Sequence, residues 1–233
     1  GKLKRKQLHQ LWSLDTATAP RTDYTIGIDS IEKMVAKMKE KPWPIYKVKV
    51  GIPGDLEMVA ALRKHTDAVL RVDANAGWTL EEALEKIPAL KDLGVEFVEQ
   101  PLAKDNWEGM KELYKQSPLP LFADEACVSQ ADVKKCYQHF HGINIKLTKC
   151  SGITPARNMI TEAKSLGMQV MVGCMNESSV GTAAIAQLAP MLDHVDMDGP
   201  LLLARDIAAG VQFDNGKIIY NNEPGLGLTM QEF

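Results

Sequence analysis

Residues 69–101 read VLRVDANAGWTLEEALEKIPALKDLGVEFVEQP. Val69–Asp73 and Val95–Glu99 are short apolar runs of strand length, and Leu80–Leu93 between them has the length and spacing of a helix. The unit is therefore strand, helix, strand, and each strand ends on a carboxylate. The same unit recurs in both directions. Upstream lie a strand at Tyr24–Ile28, the amphipathic stretch SIEKMVAKMKEK that stops before Pro42, a strand at Tyr46–Val50 and a helix at Asp55–His65. Downstream, helices at Trp107–Gln116 and Gln130–His139 alternate with strands at Leu121–Asp124 and Ile143–Leu147. A helix at Pro155–Leu166 follows, with Thr154 as N-cap and Pro155 at its first position. Strand Gln169–Val172, helix Ser178–Leu188 and strand His194–Asp198 complete the series.

Eight strands with seven intervening helices, repeating every 25 residues or so, predict an α/β fold with a parallel sheet and right-handed crossovers. Closure of the eight strands makes a (β/α)7β TIM-like barrel over residues 21–198. Residues 199–233 lose the rhythm and carry turn signals at Asp214-Asn215-Gly216 and Gly225-Leu226-Gly227. They form a C-terminal appendage across one barrel face.

Composition narrows the class of protein. With 233 residues, 45% hydrophobic and 24% charged, the chain has the profile of one soluble domain. A formal charge of −3 argues against nucleic acid, and no apolar run approaches the ~18 residues that span a bilayer. The opening GKLKRK lacks a following apolar core, so it is a solvated basic segment and not a signal peptide. Cys127, Cys136, Cys150 and Cys174 contain no C-x-x-C pair and read as reduced packing residues of a cytoplasmic protein; Cys150 and Cys174 lie near strand ends.

A parallel barrel gathers the carboxyl ends of its strands on one rim. Asp73, Glu99 and Asp124 occupy three successive strand ends, with Lys47 and Lys49 one unit before them and Lys146 one unit after. Strand parity turns Lys47 and Lys49 to one face, and does the same for Arg71, Asp73 and Asn75, for Asn144 and Lys146, and for Asp196 and Asp198. Charges on the lumen face are costly unless paired or bound to metal. Helix capping or pairing with lysine explains one such acid, but not three in register. Three hard oxygen donors with no histidine or cysteine beside them suit one Mg²⁺. A neighbouring cation lowers a lysine pKa, which makes Lys49 and Lys146 candidate bases on opposite sides of one carbon. The arrangement predicts racemisation or epimerisation next to a carboxylate through an enediolate, with Mg²⁺ bound to the substrate carboxylate.

Taken together, K-x-K (Lys47, Lys49), D-x-N (Asp73, Asn75), EQP at Glu99, ADE at Asp124 and IKL at Lys146 closely resemble the enolase superfamily in its muconate-lactonising branch. The resemblance implies that Asp73, Glu99 and Asp124 are the metal ligands and Lys49 and Lys146 the acid/base pair. Lys47 is then an auxiliary cation at the substrate carboxylate. HVDMDGP resembles the D-x-D of dipeptide epimerases of the L-Ala-D/L-Glu type, implying that Asp196 and Asp198 bind the free α-ammonium of a dipeptide. An Asp-Gly turn is the plainer account of the same residues. CMNESSVG also fits the family and implies that Glu177 lines the pocket without a catalytic role; Asn75 counts as substrate-binding by the same resemblance. Alternatives with the same lysines and metal are o-succinylbenzoate synthase, N-acylamino acid racemase and muconate cycloisomerase, and a non-catalytic barrel remnant is the third possibility. Members of the family carry an α+β capping domain before the barrel, and residues 1–20 resemble only its tail. That difference predicts little turnover by these 233 residues alone. Barrels of this branch often associate, so a homo-oligomer is also expected.

Overall fold

A computed structural model describes residues 1–232 of the chain; position 233, the last of the expected appendage, lies outside the described residues. Eight strands form one parallel sheet in chain order: β1 (Tyr24–Ile26), β2 (Ile45–Lys49), β3 (Val69–Asp73), β4 (Val95–Glu99), β5 (Leu121–Ala123), β6 (Gly142–Ile145), β7 (Gln169–Gly173) and β8 (His194–Asp196). A short α1 (Leu8–Leu11) precedes them. Seven helices fill the crossovers: α2 (Ile31–Glu40), α3 (Asp55–Arg63), α4 (Leu80–Asp92), α5 (Trp107–Gln116), α6 (Gln130–Cys136), α7 (Ile153–Ser165) and α8 (Ser179–Leu188). The sheet curls until its ends meet. A parallel bridge joins Thr22 to Val195, and Met197 N donates to Thr22 Oγ1 at 2.9 Å. The result is the TIM-like barrel expected from the alternation.

Local chemistry explains why each element starts where it does. In α4, Thr79 Oγ1 accepts from Glu82 N at 3.2 Å while Glu82 Oε2 accepts from Thr79 N at 2.9 Å, a reciprocal cap that satisfies two free amides. Ser30 and Asn106 cap α2 and α5 in the simpler way. The amphipathic spacing of α2 buries Met34, Val35 and Met38 against the sheet. The start of α7 corrects the sequence reading. The cap is Gly152, at φ 108°, a conformation open to glycine, and the helix begins at Ile153. Pro155 is then its third residue, still within the first turn, where a missing N–H removes no intrahelical bond.

Several strands end two residues earlier than the apolar pattern suggests: β1 at Ile26, β6 at Ile145 and β8 at Asp196. Parity holds within the ladder. Val48, Val72 and Val98 are fully buried outward against the helices, and the register sets Lys49 level with Asp73 and Asp73 level with Glu99. Asn75 lies beyond β3 at φ 44° and still meets Lys49 at the rim.

Inside the barrel, Phe97, Phe122 and Met171 form an apolar cluster separate from the main core. Arg71 lies two residues before Asp73, about 6.6 Å further down the same face. Its guanidinium donates to Asp23 Oδ2 at 2.9 Å, to Glu96 Oε2 at 2.7 Å and to His194 Nδ1 at 2.9 Å. Arg71 therefore closes the floor of the barrel and is not one of the rim residues.

Beyond β8, β10 (Gln212–Asp214) and β11 (Lys217–Ile219) pair across the predicted Asn215-Gly216 turn, with β9 (Ala208–Ala209) and β12 (Thr229–Met230) forming a second short pair. Buried Gln187 on α8 ties both ends of the chain together. Its Oε1 accepts from His9 N at 3.1 Å, and its Nε2 donates to Gln7 Oε1 at 3.3 Å and to Leu226 O at 3.4 Å. All four cysteines are free and buried. Among the described residues, no helix is long and apolar enough to cross a membrane.

Burial, reinforced by Arg71, pushes the His194 imidazole down from its ordinary 6.5 to about 4, against the pull of Glu96 and Asp193. Arginine only donates, so Nδ1 must be the unprotonated acceptor. The unfolded chain takes up this proton first. The stabilisation is therefore complete above pH 6.5 and falls away as pH drops towards 4, by on the order of 3 kcal/mol. His194→Gln should flatten the urea-unfolding free energy across that window; an unchanged slope would assign the acid sensitivity to other groups.

Candidate active site

The carboxyl ends of the strands surround a cavity of about 400 Å³, within the roughly 300–1,000 Å³ typical of small-ligand sites. Lys47, Lys49, Asp124, Lys146, Asp196 and Asp198 all line it. Asp73 and Glu99 lie just below, fully buried.

Lys47 is the centre of the charge arrangement. It is 2% exposed, and its Nζ lies 3.1 Å from Asp73 Oδ2, 2.9 Å from Glu99 Oε2 and 2.9 Å from Asp196 Oδ2. Burial disfavours its ammonium form, yet Asp196, Glu99 and Asp73 outweigh that cost and raise its pKa well above the ordinary lysine value. Asp73 also accepts from Lys49 Nζ at 2.7 Å. Burial opposes ionisation of Asp73, but Lys47 and Lys49 prevail and hold it well below the usual carboxylate range.

Asp124 sits between two amines, Lys146 Nζ at 3.2 Å and Lys149 Nζ at 2.8 Å. Lys149 was not singled out in the sequence, although its place three residues after Lys146 in IKLTK puts it on the same rim. Lys146 differs from the expectation for a base. Burial and Lys47 push it down, but Asp124 and Glu99 outweigh them, so its pKa is raised.

Glu99 is the least satisfied acid. Asn144 Nδ2 donates to its Oε1 at 2.6 Å, a reach that depends on Gly173, because a Cβ there would come within 2.7 Å of the Asn144 amide. Its Oε2 contacts Lys47 without hydrogen-bond alignment and has no directed donor. Burial and the charges of Asp73 and Asp124 push Glu99 up to about 7 despite Lys47 and Lys146. Three hard carboxylates, one of them short of positive charge, fit a divalent cation in donor chemistry. Among the described residues, the group of three ligand-type side chains within 4.8 Å of one another is instead Cys174, Asp196 and Asp198.

Asn75 Oδ1 accepts from Lys49 Nζ at 3.0 Å and borders the cavity. Asp198 Oδ2 accepts from Thr25 N at 2.7 Å. Burial and the neighbouring Asp196 raise the Asp198 carboxyl to about 6. Glu177 is absent from the lining described, which passes instead through Met175 and Asn176. Its Oε1 folds back to accept from Met175 N at 3.2 Å, so it closes its own turn. Of the two cysteines near strand ends, Cys174 lines the cavity.

Removing the shared cation should expose its worth. Lys47→Met leaves three buried carboxylates without their common partner and should cost about 3–5 kcal/mol in urea unfolding at neutral pH. An unchanged midpoint would mean that the acids are neutralised in another way.

Comparison with known proteins places this rim in a wider group. Residues 29–233 match the model of the enolase C-terminal domain-like family. The chain is 58% identical to the L-Ala-D/L-amino acid epimerase of Flavobacterium johnsoniae over 227 residues, which are 97% of this chain and 68% of that protein. It superposes on a substrate-liganded complex of the L-Ala-D/L-Glu epimerase from Bacillus subtilis with a TM-score of 0.92 at 31% identity, covering 100% of this chain and 69% of that one. The dipeptide epimerase of Cytophaga hutchinsonii, complexed with Mg and the dipeptide D-Ala-L-Val, matches with a TM-score of 0.89 at 30% identity, covering 96% and 65%. The chain thus spans about two thirds of the length of these relatives. Fold, rim motifs and similarity agree that the chain belongs to the enolase C-terminal domain-like family, among the dipeptide and L-Ala-D/L-amino acid epimerases.

Proposed function

We propose that the rim is the site of an isomerase, a Mg²⁺-dependent dipeptide epimerase in which Lys49 and Lys146 exchange the α-proton of the C-terminal residue. The placement of these two amines carries the reading. Strands β2 and β6 are four apart in a ring of eight, so a carbon held between Lys49 and Lys146 meets one amine on each face. One amine removes the proton and the other returns it from the opposite side, which inverts the centre. Asp73, Glu99 and Asp124 would hold the Mg²⁺, which supplies positive charge to the substrate carboxylate as the α-proton leaves.

The chain's own residues do the rest. Lys146 is held protonated by Asp124 and Glu99, the state in which it donates. Engaging those carboxylates elsewhere removes the charge that raises its pKa and readies it as a base. Asn75 accepts from Lys49 Nζ and aims that amine across the rim. Lys47 keeps positive charge at the floor of the site in both half-reactions. Asp196 and Asp198 each present an Oδ1 that no N–H donor reaches, since their Oδ2 atoms are taken by Lys47 and by Thr25 N. Two such oxygens on one wall suit an α-ammonium group, which favours a free dipeptide over an N-acylated amino acid.

Incubation with Mg²⁺ and a panel of L-Ala dipeptides in D₂O tests the mechanism by NMR at the C-terminal α-position. Lys49→Ala and Lys146→Ala should each lose exchange from one stereoisomer, by about 10²–10⁴-fold; exchange surviving in both variants would remove the two-base mechanism. Glu99→Gln should weaken Mg²⁺ binding measured by calorimetry about tenfold or more. Asp196→Asn should raise KM for a dipeptide far more than for the matching N-acyl amino acid, and equal effects on both would point to an acylamino acid substrate.

A further inference from the structure

Cys174 is part of the cavity wall yet has no part in the proton exchange. It follows β7 directly, and its amide donates to Asp196 O at 2.7 Å, so the barrel ladder fixes it across from Asp196 and Asp198. Its Sγ lies 3.9 Å from Asp196 Oδ1 and 3.7 Å from Asp198 Oδ1. The three residues are 8%, 4% and 2% exposed, and all three border the cavity. One S–H proton faces two carboxylate oxygens that no N–H reaches, so the thiol can satisfy at most one of them.

We infer that Cys174, Asp196 and Asp198 form a second cation site, selective for thiophilic divalent ions such as Zn²⁺ and Cd²⁺. A tetrahedral Zn²⁺ with bonds of about 2.3 Å to sulfur and about 2.0 Å to oxygen separates sulfur from oxygen by roughly 3.5 Å. The two sulfur–oxygen separations need to close by only a few tenths of an ångström. The fourth position faces the cavity and admits water. A thiolate with two carboxylates discriminates against Mg²⁺, which takes oxygen ligands in an octahedron. Binding forms the metal–sulfur bond and releases the thiol proton to solvent, so one proton appears per ion bound. The same ion would cover the oxygens proposed for the dipeptide ammonium and act as a competitive inhibitor. That consequence rests on the proposed function, whereas the binding itself does not.

The test is a Cd²⁺ titration of the 233-residue chain, stripped of metal, reduced and without dipeptide. It follows the ultraviolet Cd–thiolate absorption band and proton release in weak buffer. The expected result is saturation at one equivalent with one proton released and no displacement by excess Mg²⁺. Cys174→Ser should lose the band, Asp198→Asn should weaken binding about tenfold or more while keeping the thiol, and Cys150→Ser should leave the band intact. Thermal melts confirm that each variant is folded. No band in the parent chain, a band that survives Cys174→Ser, unchanged affinity in Asp198→Asn or displacement by Mg²⁺ would each overturn the inference. A chain that binds Cd²⁺ in this way while Lys49→Ala and Lys146→Ala both keep deuterium exchange would remove the epimerase reading and leave this one standing.

Discussion

A single buried ammonium organises this molecule. Lys47 brings one positive charge to three carboxylates from three different strands, β3, β4 and β8, and is itself almost fully enclosed. Such a group is stable only while every partner is present, because an unpaired charge at that depth costs several kcal/mol. The constraint works in both directions. The acids keep Lys47 protonated, and Lys47 keeps Asp73 and Asp196 ionised within reach of a ligand. Glu99 shows how finely the charge is shared, since the same lysine does not suffice to hold it at an ordinary carboxylate value.

The barrel separates two polar layers with a dry one. The tilted rings of Phe97 and Phe122 pack with centroids 4.4 Å apart within the lumen, and the Arg71 guanidinium lies 5.1 Å from the Phe97 ring. Below that packing, Arg71, Asp23, Glu96 and His194 close the floor; above it, lysines and acids ring the open cavity. The floor is held by the guanidinium of Arg71, although Asp23 Oδ1 has no hydrogen-bond partner. The rim carries oxygens that lack N–H donors, which is where a ligand can gain most. Chemistry therefore belongs to one end of the barrel even though charged residues occupy both.

Much of this was legible in the chain. The alternation of five-residue apolar runs with amphipathic helices gave the strand order, and α5 ran from Trp107 to Gln116 as its pattern indicated. The cap at Gly152 was missed because Thr154-Pro155 is a good helix start on propensity alone, whereas a glycine with positive φ reveals itself only in three dimensions. Asn75 lies past the end of β3 at Asp73, at φ 44°, and still reaches the rim beside Lys49. Lys149 and the reversed direction of the Lys146 shift share another cause. Both depend on distances to Asp124 across a turn, and sequence spacing does not encode those distances.

The sequence by itself determined which residues stand at strand ends and which face they share, because periods of two and 3.6 are properties of the backbone. It therefore determined the barrel and the set of rim side chains. The tertiary structure decided how those side chains pair. Glu177 Oε1 accepts from Met175 N within its own loop, Arg71 belongs to the floor, and Cys174 comes to rest between two aspartates. Pairing is a matter of a few ångströms of approach between segments far apart in the chain, and only the closed barrel, with every strand held in register, fixes distances on that scale.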